Sequence, residues 1–287
     1  MINILLDFSK AKYFFLFIAV TVVIIFWVYD RFKKKSHISF LPFIAINALL
    51  FTAWGLLTGI NHDTAEHLHC AWLVSQGLIP YRDFWQHHPP YLWIMLAPIL
   101  KQLKPTFSIF EAARIFCVFM FALIGFLGWK IAQETWREKA SRNMYVLLLL
   151  SGSIAGQFLL FRPDLFMDVF LLAGIYFTLK MPGNRRLLPV FCAGASFALA
   201  ATFHLKQYFL YFLPLIIIFC EQDRFRIVKF LVYVLGFFLG VAPTLFYLVL
   251  NDIVTDFIFW VLLFNSQRIG FYVYFPLALG ATGIWGA

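Results

Sequence analysis

The sequence predicts an all-α, polytopic transmembrane helical bundle, and three observations carry that expectation. Of the 287 residues, 62% are hydrophobic and only 13% are charged, whereas a soluble domain carries roughly 25% charged residues. Apolar runs recur along the whole chain and give a mean hydropathy of +0.83. The basic residues lie mostly in short segments between those runs. A soluble globular domain, a disordered chain and a disulfide scaffold are therefore excluded. In a soluble protein the net charge of +9 would suggest nucleic acid. Here it is a topology signal, and no nucleic-acid partner is expected. Residues 1–287 are expected to form a single transmembrane domain of about nine or ten spans. That leaves no length for a separate catalytic domain.

The elements follow in order. Tyr13–Tyr29 is the first run. Lys10 and Lys12 precede it as in a signal peptide, but Arg31, Lys33, Lys34 and Lys35 follow with no small-residue cleavage site. An uncleaved helix ending in the cytoplasm is expected. Ile38–Ile60 is the second run and leads into a large outer loop, 61–106. Tyr91–Leu100 is too short to span and contains Pro98, so a helix on the outer face or a re-entrant piece is expected. Eight runs complete the chain: Ser108–Trp129, Met144–Phe161, Leu165–Leu179, Leu187–Phe203, Tyr208–Cys220, Phe230–Leu250, Ile253–Phe264 and Phe271–Ala287. Several fall short of the ~20 residues a span needs. Those are expected to borrow from their flanks, tilt or break. Period-two alternation is absent, and backbone in lipid must satisfy its own hydrogen bonds, so helices are expected.

Alternating outward from a cytoplasmic Arg31–Lys35 segment places most of the 23 basic residues inside. It also gathers three polar clusters outside: Asn61–Pro90, the Arg162-Pro163-Asp164 corner and the His204-Leu205-Lys206-Gln207 corner. Cys117, Cys192 and Cys220 fall in apolar runs, and Cys70 in the outer loop. None shows CxxC spacing, so neither a structural disulfide nor a thiolate metal site is expected.

Within the loop, Asp63 to Gln76 has the pattern of an amphipathic helix, stopped by Gly77 and Pro80. Asp63 falls at its N-terminus, where free N–H groups and the helix dipole favour an ionised carboxylate. Such a group can accept a proton; it can equally be a simple cap. Glu66, three residues on, shares its face. His62, Glu66 and His69 also share a face and could hold a divalent metal such as zinc. The order Glu66-His67-Leu68-His69 is not HExxH, and a metal is not favoured. Tyr81-Arg82-Asp83-Phe84 and His87-His88-Pro89-Pro90 form the second half. The prolines impose extended backbone. A rigid loop bearing Tyr, Trp and His rings suits a sugar, because sugars stack on aromatic faces. Arg162 and Lys206 place positive charge on the outer side against the topology rule, and both are natural phosphate partners. Asp164 could instead pair with Arg162.

These residues resemble the GT-C superfamily of polyprenyl-phosphate-sugar-dependent glycosyltransferases. The resemblance is to bacterial relatives of the protein O-mannosyltransferases and the lipid A aminoarabinose transferases. An acidic residue soon after a span (Asp63, with Glu66), then Gly77, Pro80, Tyr81, Asp83 and Phe84, then His88-Pro89-Pro90 carry it. Arg114 and Arg162-Pro163-Asp164 fit as well, and the resemblance runs from about Ile38 to Leu215. It implies an inverting transfer at the outer face of a bacterial inner membrane, with no nucleotide-binding fold needed. Asp63 would be the base, Glu66 would share the catalytic role, and Arg162, Lys206 and Arg82 would hold the donor phosphate. Tyr81, Asp83, His87, His88, Asp164 and His204 would contact substrate. The partners implied are a polyprenyl-phosphate-linked sugar, a lipid, glycan or protein acceptor, and membrane lipid. Three departures stand out: an extra first run, the spacing Asp63-Thr64-Ala65-Glu66 where many members have adjacent acids, and an end at Ala287 within an apolar run. The last is expected of a fragment or a short member. The competing readings are a transporter or lipid flippase, and a non-catalytic subunit of an envelope assembly. Charges clustered at run ends, with Glu111 and Arg114 the deepest pair, favour an interfacial site over a path through the membrane.

Overall fold

A computed structural model describes residues 61–102, 108–136, 160–182, 186–205, 208–220 and 224–266. The expected runs Tyr13–Tyr29, Ile38–Ile60 and Phe271–Ala287 lie outside the described residues, as does Met144–Phe161 except for its last two positions. The described residues are helical and carry no strand beyond an isolated bridge between Pro80 and Phe84. Eight α-helices are seen among them: α1 His62–Ser75, α2 Tyr91–Gln102, α3 Ser108–Thr135, α4 Pro163–Leu179, α5 Leu188–Phe203, α6 Leu213–Cys220, α7 Arg226–Leu250 and α8 Val254–Phe257.

Two of these helices are long and apolar enough to cross a membrane, Ala112–Thr135 within α3 and α7 itself. At 1.5 Å per residue each reaches about 36 Å, more than the ~30 Å hydrocarbon core. The other expected runs are shorter or broken. Tyr208–Cys220 begins as a 3-10 turn, Tyr208–Phe212, before α6. Ile253–Phe264 becomes α8, a π-helical stretch Ile258–Leu263, and a last helical turn to residue 266. The Tyr91–Leu100 run is the twelve-residue α2, about 18 Å long and too short to span.

Helix α1 starts one residue earlier than the sequence pattern suggests, because Asn61 rather than Asp63 is its cap. The Asn61 side chain accepts the Asp63 N–H at 2.8 Å. The helix ends in a Schellman motif. The Gly77 N–H reaches the Val74 carbonyl, the Leu78 N–H reaches the Leu73 carbonyl, and Gly77 sits at φ +89. Its buried residues Thr64, His67, Leu68, Ala71 and Ser75 form one stripe, as an amphipathic helix requires. That stripe packs mainly on α2, which turns Leu92, Trp93, Ala97 and Leu100 inward.

The larger core joins α3, α4, α5 and α7 as successive neighbours. Between α3 and α4 the contact is aromatic, with Phe116 stacked on Phe166 at 5.5 Å. At their far ends Glu134 and Lys180 pair at 2.6 Å. That hydrogen bond holds the half-buried Lys180 ammonium above the usual lysine range. Helix α5 meets α7 through small residues. A methyl group at Gly194 would lie 2.2 Å from the Tyr233 carbonyl oxygen, and one at Gly236 would lie 2.3 Å from that of Phe191. Backbones approach this closely only where side chains are missing, as membrane helix pairs do.

Candidate functional site

Four pieces of chain assemble the site: the start of α1, the loop from Gly77 to Pro90, the corner leading into α4, and the end of α5. Pro163 opens α4 with Arg162 just before it and Asp164 in its first turn. This is a favourable order, since proline suits the first position and a carboxylate suits the positive helix end. The corner is tied to α1 by Thr64, whose hydroxyl accepts the Phe161 N–H at 3.1 Å.

That tie brings Arg162 against both acids. Its Nη1 lies 3.4 Å from Asp63 Oδ2 and its Nε 3.3 Å from Asp164 Oδ2. Asp63 also meets His62 Nε2 at 2.9 Å through its other oxygen. Asp63, Arg162 and Asp164 are therefore one ionic group, with two carboxylates around one guanidinium. The pairing of Asp164 with Arg162 that the sequence allowed is present.

Glu66 takes a different partner. The amide of Gln86, itself 1% exposed, donates to Glu66 Oε1 at 2.7 Å and lies 3.4 Å from Cys70 Sγ. The Gln86 carbonyl accepts the His87 N–H at 2.7 Å. One buried amide thus fixes a carboxylate and the loop at once. Burial pushes the Cys70 thiol up to about 11, although the Gln86 contact pulls the other way.

Four imidazoles line up next to these acids. His67 and His88 have ring centres 5.1 Å apart, His88 and His87 4.2 Å, and His88 and His204 5.1 Å. His67 is buried, and its Nδ1 accepts the Trp93 indole N–H at 3.3 Å. An indole nitrogen only donates, so neutral His67 carries its proton on Nε2. Burial lowers its pKa to about 4, overcoming the opposing pull of Glu66, Asp63 and Asp164. His67 is neutral at physiological pH. His204 reaches the group because α5 ends there in extended backbone.

The remaining expected residues divide. Tyr81 is buried at φ +70, and its hydroxyl donates to the His88 carbonyl at 2.6 Å. It braces the loop from beneath. Asp83 accepts the Ile79 N–H at 2.7 Å, and that bond lowers its pKa. Arg82 is exposed and pairs with Asp83 at 3.4 Å, so within this structure it belongs to the turn. Lys206 lies outside the described residues, as does the side chain of Glu111. His62, Glu66 and His69 share a face, but their side chains part: His62 turns to Asp63, Glu66 to Gln86, and His69 stacks on Trp72 at 5.7 Å. Among the described residues no group of three His, Cys, Asp or Glu side chains is placed to hold a metal ion.

Sequence reasoning missed Asn61, Gln86, Trp93 and Asn265. Gln86 was visible as an amide inside an aromatic stretch. Asn265 donates to the His87 carbonyl at 2.8 Å across 178 positions, and no local pattern marks it. Comparison with known proteins finds no matching family model, no similar curated protein and no similar solved structure.

Proposed function

We propose that this chain is a polytopic membrane glycosyltransferase of GT-C type. It moves a sugar from a polyprenyl phosphate to an acceptor hydroxyl at the outer face of a bacterial inner membrane. The observation that supports this best is the meeting of Asp63, Arg162 and Asp164 beside the Glu66–Gln86 pair. The sequence separates Asp63 from Arg162 by 99 positions, and their pairing joins the two polar clusters in which the family resemblance lies. Two helices long enough to cross a membrane agree with the location.

In this reading Asp63 takes the proton of the acceptor hydroxyl. The acceptor oxygen attacks the anomeric carbon from the face opposite the phosphate. The bond from that carbon to the phosphate oxygen breaks, and its electron pair leaves with the lipid phosphate. The configuration inverts. Arg162 is shared between base and corner, which keeps a cation beside the departing charge. Lys206 and Arg82 are the further candidates for that phosphate, with Glu66 supporting the base. His87, His88, Asp164 and His204 shape the substrate side, and Tyr81 and Asp83 hold the loop that carries the first two. No nucleotide-binding loop is needed, because the donor carries its own leaving group.

The test is sugar release. Full-length protein in lipid nanodiscs is mixed with radiolabelled undecaprenyl-phosphate hexose and an envelope extract. Transfer with inversion at the anomeric carbon is expected. Movement of intact donor lipid across vesicles without transfer would instead favour a flippase.

A further inference from the structure

The base and the cation of the transfer are carried by different packed groups of helices. Asp63 stands on α1, which rests mainly on α2, while Arg162 leads into α4, which lies between α3 and α5. The separation of Asp63 from Arg162 is therefore set by what joins the two groups. Thr64 supplies a join at the site itself. It follows Asp63 directly and is buried, and its hydroxyl accepts the N–H of Phe161, the residue just before Arg162, at 3.1 Å. One hydrogen bond thus fastens the neighbour of the base to the neighbour of the cation. Ring contacts such as Tyr91 with Phe203 also join the groups. A ring contact tolerates sliding, whereas a hydrogen bond weakens steeply when misaligned.

Both ends of this bond are held firmly. The Asp63 N–H is fixed by the Asn61 side chain at 2.8 Å. The Phe161 ring packs edge-on against Phe116 and Phe166 at 6.2 and 5.6 Å. The branched Cβ of threonine restricts its rotamers, so little play is left between the two ends. The ionic contacts are poorer rulers. Arg162 enters α4 in extended backbone with no side-chain cap bond of its own. Its contacts to Asp63 and Asp164, at 3.4 and 3.3 Å, are longer than a close charge-assisted bond of roughly 2.7–2.9 Å. Partly exposed pairs of this kind contribute little on their own.

We propose that Thr64 is a positioning residue, whose bond to Phe161 sets the distance between Asp63 and Arg162 and through it the rate of transfer. Its effect on turnover rests on the transferase reading; its effect on the place of Arg162 does not.

The experiment uses the full chain in lipid nanodiscs and reads two quantities. Phenylglyoxal modification of Arg162, followed by mass spectrometry, reports its place without turnover, with exposed Arg82 as internal control. Single-turnover sugar release from undecaprenyl-phosphate hexose reports the reaction. Thr64→Val keeps the shape of the side chain and strands the Phe161 N–H. Arg162 should then react severalfold faster. Release should slow by about ten- to a hundredfold with donor affinity little changed, the scale of a small misplacement. Thr64→Ser keeps the hydroxyl and should return both readings nearly to wild type. In an Arg162→Gln background Thr64→Val should slow release no further, because the two residues act as one unit. If Thr64→Val does not fold, Thr64→Cys, whose sulfur accepts only weakly, is read against the same outcomes.

An unchanged rate of Arg162 modification in the folded variant overturns the proposal. So does a full further loss of release in the Arg162→Gln background. A lowered melting temperature with release unchanged also overturns it, and would make Thr64 a tie for stability alone. Absence of sugar release from wild type would sink the transferase reading, while Arg162 modification still decides the positioning.

Discussion

Burial sets the charge state of His67, and that state has a consequence for acid stability. Its folded pKa of about 4 lies below the unfolded 6.5. The unfolded chain therefore binds the proton first. Stability is full above pH 6.5 and is lost progressively as pH falls toward 4, by about 3 kcal/mol from this group. Chemical denaturation in detergent at pH 7 and pH 4.5 measures the loss. His67→Leu should flatten that acid limb while lowering stability at pH 7 by about 1–3 kcal/mol, because it strands the Trp93 N–H. Gln86 makes a second residue-scale test. Gln86→Leu removes the donor to Glu66 and the acceptor for the His87 N–H. We expect a stability loss of about 2–3 kcal/mol, since hydrogen bonds to charged groups are the stronger kind. Recovery in Gln86→Asn would contradict this, because the shorter amide cannot span both partners.

At the scale of elements, two glycines separate two mechanisms. Gly77 has nothing within 4 Å of an added methyl group, so Gly77→Ala costs only backbone strain at φ +89. About 1 kcal/mol is expected. Gly236 has the Phe191 carbonyl in the way, so Gly236→Ala must separate α5 from α7. A larger loss, about 1–3 kcal/mol or more, is expected. Thermal denaturation of the two variants side by side checks the order, and equal losses would contradict the close packing. This scale also shows what the sequence made legible. The α1 stripe, its stop at Gly77 and the short α2 were all readable, because each has a local chemical cause, whereas α4 starts two residues before the expected Leu165. The cap was misplaced by two residues because Asn61 and Asp63 are both good caps, and only the geometry chooses. The break of Ile253–Phe264 into α and π pieces was not readable. The bond from Asn265 to the His87 carbonyl was not readable either, because a contact across 178 positions leaves no local signal. For the site, the sequence named the acids and Arg162. It did not show that Arg162 is held by both carboxylates, nor that Tyr81 lies under the loop, because both follow from how distant segments meet.

For the whole molecule, the arrangement places two ionic groups at opposite ends of the helices. Asp63, Arg162, Asp164 and His204 gather at the end where α4 begins and α5 finishes, while Glu134 and Lys180 pair at the opposite end of α3 and α4. If the helices cross a membrane as proposed, the two ends face different compartments. In a cysteine-free background, Gln76→Cys should react with a membrane-impermeant maleimide in intact cells. Arg186→Cys should react only after permeabilisation. Both positions are exposed, so burial does not confound the result. Labelling of both from outside would contradict the orientation.

The most direct test of the central claim is the split between binding and turnover in Asp63→Asn. Donor affinity and single-turnover sugar release are measured on the same nanodisc preparation of wild type and variant. A carboxamide keeps the shape of the group but cannot take the acceptor proton. Near-unchanged donor affinity is expected, with release slowed by at least about a hundredfold, the scale of a lost general base. Release at the wild-type rate from Asp63→Asn, with donor binding intact, would contradict it.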